Sequence, residues 1–390
     1  MKVKDICDSV TDGSHNPPKG VENSDYMMLS SKNVFDDEIT FDEPRFLSES
    51  DFIKENERTN VTANDVLLTI VGTVGRTAVV EKRMPTFTLQ RSVAVLHPKK
   101  NICSSRFLMY ALRGKRSYIE NRARGVAQKG IYLREVAEIE INLPNLKEQN
   151  EIVKKLDKVH ILIKLKVKQL QYLDELIKAR FVELFGDPVH SDKYSTRKLL
   201  SCVADKADMV DGPFGSQVNT KVDYIEDGEI PVIRTVNVKM MSFSPVDLKF
   251  MKREKYETVI RSQVLPGDVI LTKVGTIGNV CIFPDSFEEA VLSTTGSCRI
   301  RVDNSIVNTV FFAYNLMYLK GKLLEIASAG VQPFLNMNHV KNIDILDVPL
   351  DKQIEFSDFV HQVDKSKVAV QASLDQAQIL FDSLMQKYFG

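Results

Sequence analysis

Asp65-Val-Leu-Leu-Thr-Ile-Val-Gly-Thr-Val-Gly75 returns 203 residues later as Asp268-Val-Ile-Leu-Thr-Lys-Val-Gly-Thr-Ile-Gly278. Matches continue outward at nearly the same offset. Phe107 and Tyr110 correspond to Phe311 and Tyr314, Leu143-Pro144 to Val348-Pro349, Gln149 to Gln353, and Phe185-Gly186 to Phe389-Gly390. Gly125-Val-Ala-Gln128 resembles Gly330-Val-Gln332. An offset that drifts by a residue or two over more than a hundred positions is a duplication. A period near 200 is too long for a solenoid repeat, so the 390-residue chain is one plan used twice.

Each copy has two parts of different character. The first part mixes β-like runs (Val66–Val71, Thr77–Val80 and Val93–Leu96; Val269–Val274 and Cys298–Val302) with a helical piece near Arg106–Arg122 or Thr309–Ile326. Gly, Pro, Asn and Asp punctuate it, predicting short strands joined by many turns. The second part contains no Gly or Pro from Leu146 to Phe185, nor from Leu350 to Phe389. In the second copy, positions 356, 360, 363, 367, 370, 374, 377, 381, 384 and 388 are apolar except Lys367. In the first copy, positions 152 to 184 repeat the pattern, interrupted by Lys166 and Arg180. A sustained 3.5-residue period is that of a supercoiled helical seam. Each helix spans about 50–60 Å at 1.5 Å per residue. The expected seam residues are Ile152, Leu156, Ile163, Leu170, Ile177 and Leu184 against Val360, Val363, Val370, Leu374, Phe381 and Leu384.

The predicted class is therefore α+β: two tandem mixed α/β domains separated by two long helices that pair as an antiparallel coiled coil. The domains run 1–145 and 187–349, the helices 146–186 and 350–390. Lys166 and Lys367 interrupt both seams, either with stems lying along the apolar stripe or as a register-fixing polar pair.

Composition narrows the function. Lys+Arg and Asp+Glu are equal at 52 each, so no overall basic charge draws the chain to phosphate. The charge is unevenly spread, however. Arg106, Arg113, Lys115, Arg116, Arg122, Arg124, Lys129 and Arg134 face Glu120 alone within one stretch, while residues 36–57 are acidic. The basic stretch reads as a solvated face or as a phosphate-positioning surface. No apolar run has the length of a membrane span, and no apolar leader follows Met1. Cys7, Cys103, Cys202, Cys281 and Cys298 are odd in number and scattered, as expected of reduced thiols in a cytoplasmic protein.

Catalytic motifs are wanting. The Gly-Thr-x-Gly segment lacks the Lys-Ser/Thr ending of a phosphate loop, and a hairpin needing positive φ accounts for it better. Its tip would carry Thr73 and Arg76, or Thr276 and Asn279. His15, His97, His160, His190, His339 and His361 show neither metal nor triad spacing. Asn16-Pro17-Pro18 is followed by Lys19, which offers no ring to stack on a flipped base. No catalytic residue, metal site or cofactor is assigned to this chain.

The ordered motifs resemble those of type I restriction–modification specificity subunits over essentially the whole chain. In the second copy these are Asp211-Gly-Pro-Phe-Gly-Ser-Gln217, Ile230-Pro-Val-Ile-Arg-Thr-Val-Asn237 and Pro266-Gly-Asp-Val-Ile-Leu-Thr272. In the first they are Asp12-Gly-Ser-His15, Leu29-Ser-Ser-Lys-Asn33 and Asp65-Val-Leu-Leu-Thr69, with Ser14-His15-Asn16-Pro17 where the second has Pro-Phe-Gly-Ser. The resemblance implies a non-catalytic reader of double-stranded DNA, each recognition domain taking half of a split, asymmetric target. It implies two methyltransferase subunits docked on the helices and motor–nuclease subunits added for cleavage. S-adenosylmethionine, ATP and Mg would belong to those partners. Half-sites about one turn apart, on the order of 34 Å, suit a stiff helical spacer.

For base readout, side chains with forked or adaptable donors in loops are expected. They are Asn16, Lys32, Asn33, Thr73, Arg76, Gln90, Arg91, Gln128 and Lys129 in the first half. In the second they are Ser216, Gln217, Arg234, Asn237, Lys273, Thr276, Asn279, Gln332, Asn336 and Asn338. The rival from another class is a duplicated coiled-coil scaffold that binds proteins. Steep loss of DNA affinity with salt would separate the two.

Overall fold

The computed structural model describes residues 1–125, 129–190, 193–327 and 333–390. The chain forms two compact units, one of residues 1–168 with 371–390 and the other of residues 169–370. Each unit therefore holds one globular part and a stretch of both long helices.

In the first unit, the quoted motif forms the central strand Val66–Thr69 of a four-stranded antiparallel sheet. The order is Cys7–Asp12, Val93–Pro98, Val66–Thr69, Thr77–Val79. All four residues of Val66–Thr69 are buried because both sheet faces are covered. Val66, Leu68, Ala94 and Leu96 pack toward helix Ser105–Gly114, through Phe107 and Leu108 among others. Leu67, Val93 and Val95 pack the other way, against Leu29, Phe87 and Leu89. Those last residues belong to a three-stranded sheet, Arg45–Phe46, Met27–Leu29, Phe87–Leu89, whose second pair is parallel.

The second unit repeats the layers. Its sheet runs Met209–Asp211, Ser297–Ile300, Val269–Thr272, Val280–Ile282. Its smaller sheet runs Lys249–Met251, Ile230–Ile233, Ala290–Leu292, Gln263–Val264, again with one parallel pair. The single helical piece expected in each copy is broken in two: Ser105–Gly114 then Arg116–Arg122, and Thr309–Tyr318 then Lys320–Ala327. At the first break, a Cβ on Gly114 would stand 2.5 Å from the Cβ of Phe389, so glycine lets the end of the second long helix seat there.

The long helices run Leu146–Phe185 and Leu350–Phe389. In the second unit they pair antiparallel. Arg180 reaches Glu355 at 2.7 Å and Asp174 reaches Lys367 at 2.5 Å, so one index falls as the other rises. Ile177, Val360, Val363 and Val370 are buried there, with Leu170 and Leu184 half-buried. In the first unit Leu156 and Phe381 are buried, and Ile152, Ile163, Leu374 and Leu384 half-buried.

The heptad seam is only one buried face. Phe181 and Phe185, off the heptad, form a second and, with Phe356 of the seam, pack with Phe311 and Tyr314 of the second globular part at 4.9–5.9 Å. In the first unit Phe381 lies 6.2 Å from Tyr110, and Phe389 lies 5.3 Å from Phe107. Each helix pair therefore shares one core with its globular part.

The duplicated glutamines fasten that joint. The Gln149 side-chain oxygen accepts from the Ser104 amide at 2.9 Å, and its Nε2 donates to Ile102 and Pro144 carbonyls at 2.8 Å. Gln353 accepts from the Asn308 amide at 2.8 Å and donates to the Val348 carbonyl at 2.7 Å. Both glutamines are buried.

Candidate nucleic-acid interface

The Gly-Thr-x-Gly segments are hairpin turns, with Gly72, Gly75, Gly275 and Gly278 at φ of 84°, 92°, 73° and 80°. In the first unit the turn is closed by Thr69, whose carbonyl accepts from Gly75 N–H and whose hydroxyl accepts from Arg76 N–H, both at 2.9 Å. The Gly72 amide donates to the Lys129 carbonyl at 2.9 Å, which sets Lys129 beside the turn. Thr73 and Lys129 are exposed. Arg76 is half-buried, its guanidinium 4.8 Å over the Phe35 ring.

The loop after Asp12 lies next to this hairpin. Ser14 donates to the Leu89 carbonyl at 2.8 Å, and Arg91 donates to the Ser14 carbonyl at 2.9 Å. An open concavity of about 320 Å³ results, lined by Ser14, His15, Pro17, Val71, Gln90 and Arg91 among others. A second, of about 280 Å³, shares Gln90 and adds Ser30, Lys32 and Arg45. Asn16, between two lining residues, is exposed. The fold thus brings Asn16, Lys32, Thr73, Gln90, Arg91 and Lys129 onto one polar surface. Gln128 lies outside the described residues.

Asn33 also borders the second concavity, but its side chain is tied to the backbone. It is 4% exposed, its side-chain oxygen accepts from Ser30 N–H at 3.1 Å, and its amide donates to the Asp42 carbonyl at 2.9 Å. Asn237 does the same work in the second unit, accepting from Arg234 N–H at 3.1 Å and donating to Ser244 and Val246 carbonyls at 3.0 and 3.1 Å. Both side chains pin a loop from within.

Elsewhere in the second unit, Ser216, Gln217, Thr276 and Asn338 are exposed. Gln217 turns back to accept from Phe214 N–H at 3.0 Å. Lys273 is 3% exposed and ion-pairs with Asp211 at 2.6 Å. Its carbonyl accepts from the Leu335 amide at 3.0 Å, so the hairpin, the 211–217 loop and the start of helix Met337–Lys341 converge. Asn336 caps that helix, accepting from His339 N–H at 2.8 Å. Arg234 ion-pairs with Asp247 at 2.8 Å. Asn279, expected at the exposed tip, is buried instead, donating to the Val238 carbonyl at 3.1 Å and accepting from Lys320 at 2.9 Å. Gln332 lies outside the described residues.

The basic stretch divides. Arg106 turns inward to Asp37 at 3.0 Å and Asp157 at 2.6 Å. Arg116 pairs with Asp36 at 2.5 Å, and Arg113 lies 3.6 Å from the same carboxylate. Burial alone would push the Asp37 carboxyl up, but hydrogen bonds from His160 and Arg106 outweigh it and hold the group at about 2. Asp36 and Asp37 of the acidic stretch therefore engage three of the eight basic residues, Arg106, Arg113 and Arg116, within the fold. Arg122 and Arg134 lie over Tyr118 and Tyr132 rings at 4.6 and 5.5 Å, and Lys115 is half-buried.

Sequence reasoning did not single out Asp12 and Arg58, or His15 and Phe214 as individual site residues. Asp12 is buried, accepts from Arg58, and lies 2.8 Å from His15 Nε2. The signal available was the Asp-Gly step at the same place in both copies. Among the described residues, no cluster of three or more His, Cys, Asp or Glu side chains could hold a metal, and no helix is long and apolar enough to cross a membrane.

A duplicated α+β protein with a polar, loop-built groove on its first unit and a shared helical core defines a class: a binding module carried in two copies. The family model for the type I restriction modification DNA specificity domain matches residues 1–175 and 214–377. The chain belongs to that family. Over 156 residues it is 25% identical to the type I restriction enzyme EcoBI specificity subunit of Escherichia coli, covering 40% of this chain but only 31% of that subunit. It is 24% identical over 302 residues to the putative MjaX specificity subunit of Methanocaldococcus jannaschii, covering 72% and 66% of the two chains. The MjaVIII specificity subunit of the same organism is 23% identical over 328 residues, covering 81% and 76%. The fold is similar to the crystal structure of a type I restriction–modification S subunit from M. genitalium, with a TM-score of 0.60 at 15% identity over 100% of this chain and 95% of that one. A chain from a study of type I system assembly and conformational transition gives a TM-score of 0.58 at 14% identity, covering 100% and 96%.

Proposed function

We propose that this chain is the DNA-specificity subunit of a type I restriction–modification complex, acting in the cytoplasm without chemistry of its own. Residues 1–145 and 187–349 serve as recognition domains, each reading one half of a bipartite target. The helices, 146–186 and 350–390, set the run of unread base pairs. The observation that carries this reading is the first unit's groove, where Lys32, Gln90, Arg91 and Lys129 join residues 14–16 in loops at the strand ends. Forked and cationic side chains on rigidly held loops suit base edges and phosphates.

The long helices retain apolar side chains in solvent: Ile161, Leu162 and Leu165 in the first unit, Leu176, Ile354 and Val368 in the second. Such surface supports docking of two methyltransferase subunits, with motor–nuclease subunits completing the complex. S-adenosylmethionine, ATP and Mg are then cofactors of those partners. Membership of the specificity family sets aside the protein-scaffold reading.

Genome-wide methylation mapping in cells co-expressing this chain with its methyltransferase subunit tests the proposal. The expected result is a new split motif, two short specific blocks around a constant unread run. A stable complex that methylates no such motif would sink it.

A further inference from the structure

The loop that follows the first strand of the four-stranded sheet is framed the same way in both units. Asp12 faces Ala94 and Asp211 faces Cys298 in equivalent antiparallel ladders. The next amide, Gly13 or Gly212, donates back to Val93 or Ser297 at 3.3 or 3.4 Å. A Cβ on either glycine would stand 2.0 Å from a backbone carbonyl oxygen, of Leu89 or of Thr294, so only glycine permits the approach. Two residues beyond stand His15 and Phe214, whose exposures are 53% and 57%. The frame is kept while the side chain it displays changes from imidazole to phenyl. A variable tip on a rigid support is how a recognition position is built.

His15 carries more than exposure. Its Nε2 lies 2.8 Å from Asp12 Oδ2, and the other Asp12 oxygen accepts from Arg58. A carboxylate only accepts, so the neutral ring keeps its proton on Nε2 and presents Nδ1 as an acceptor. His15 also lines the concavity that contains Gln90 and Arg91.

We propose that His15 is a specificity-determining residue of the first unit, its Nδ1 accepting from the exocyclic amine of an adenine or cytosine in the major groove. Asp12 is a positioning residue that sets the tautomer. Phe214, at the equivalent place, offers only an apolar face, so the two half-sites are read by different chemistry here. The inference rests on the DNA-reading function proposed above.

The test is methylation-motif mapping with the full chain in complex with its methyltransferase subunit. His15→Ala is expected to lower discrimination about tenfold at one A or C position of one half-site, leaving the other half-site intact. Which base is relaxed tells adenine from cytosine. His15→Gln, which restores a side-chain acceptor, is expected to recover discrimination at that position. Asp12→Asn places a donor against Nε2, moves the ring proton to Nδ1, and is expected to shift preference toward guanine or thymine. If His15→Ala leaves every base preference unchanged, the proposal is overturned, whatever Asp12→Asn does to folding. A wild-type complex that writes no split motif would instead overturn the underlying function, a separable result.

Discussion

Gln149 shows how one buried amide can join two elements. It bonds to the Ser104, Ile102 and Pro144 backbone from the first turn of a long helix. Gln149→Leu keeps the volume and orphans those groups, so chemical denaturation should show a loss of about 2–3 kcal/mol. Its recurrence as Gln353 was visible in the sequence, but its tie to Ser104 and Ile102 was not, because those are backbone atoms of a segment over 40 residues away. His97 offers a pH handle. The hydrogen bond to Asp65 raises its pKa against the opposing pull of burial. A raised folded-state value means the contribution is complete below the unfolded value, about 6.5, and fades as pH rises through the higher folded value. Thermal melts from pH 6 to 9 should decline more steeply for the wild type than for His97→Gln. At this scale the candidate list split: Gln90 and Arg91 reached the groove, whereas Asn33, Asn237, Asn279 and Lys273 went inside. Side-chain chemistry alone cannot separate these outcomes, since the amide that reads a base is equally suited to pin a loop.

Among elements, the long helices were the most legible, because a 3.5-residue period over 40 residues has few alternatives. The second buried face, carried by Phe181 and Phe185 against Phe356, was not, since aromatics outside the heptad, as these two are, could as well have been exposed. Phe381 sits where seam and sheet-domain core meet, against Tyr110 and His160. Phe381→Ala should cost about 3–5 kcal/mol by denaturation, a core truncation rather than a loosened coiled coil. Lys367, which breaks the seam, pairs with an Asp174 that is 70% exposed. Lys367→Leu should therefore move stability by less than about 1 kcal/mol in the same measurement. Two antiparallel ribbons, Val34–Phe35 with Glu38–Ile39 and Val238–Lys239 with Ser242–Phe243, show that equivalent elements dock by different forces. The turn carrying Asp36 and Asp37 is held by Arg106, Arg113 and Arg116, whereas its counterpart, Met240 and Met241, packs into the second unit's apolar core.

For the whole molecule, net neutrality bears on how DNA is held. With Arg106, Arg113 and Arg116 paired to Asp36, Asp37 and Asp157, these three cations are spent within the fold and do not serve phosphate. If roughly six contact phosphate in the assembled complex, affinity should fall about a thousandfold between 50 and 200 mM salt, measurable by fluorescence anisotropy. A flat salt response would count against the groove as the DNA surface. Duplication, fold class, helix pairing and family were all determined by the sequence itself, because each rests on a period or an ordered motif that survives without coordinates. Which polar residues face the groove, where acidic and basic stretches pair, and which carboxylate His15 meets were decided only by the tertiary structure. These depend on which loops meet at the strand ends, and a loop's neighbours are set by packing between segments far apart in the chain.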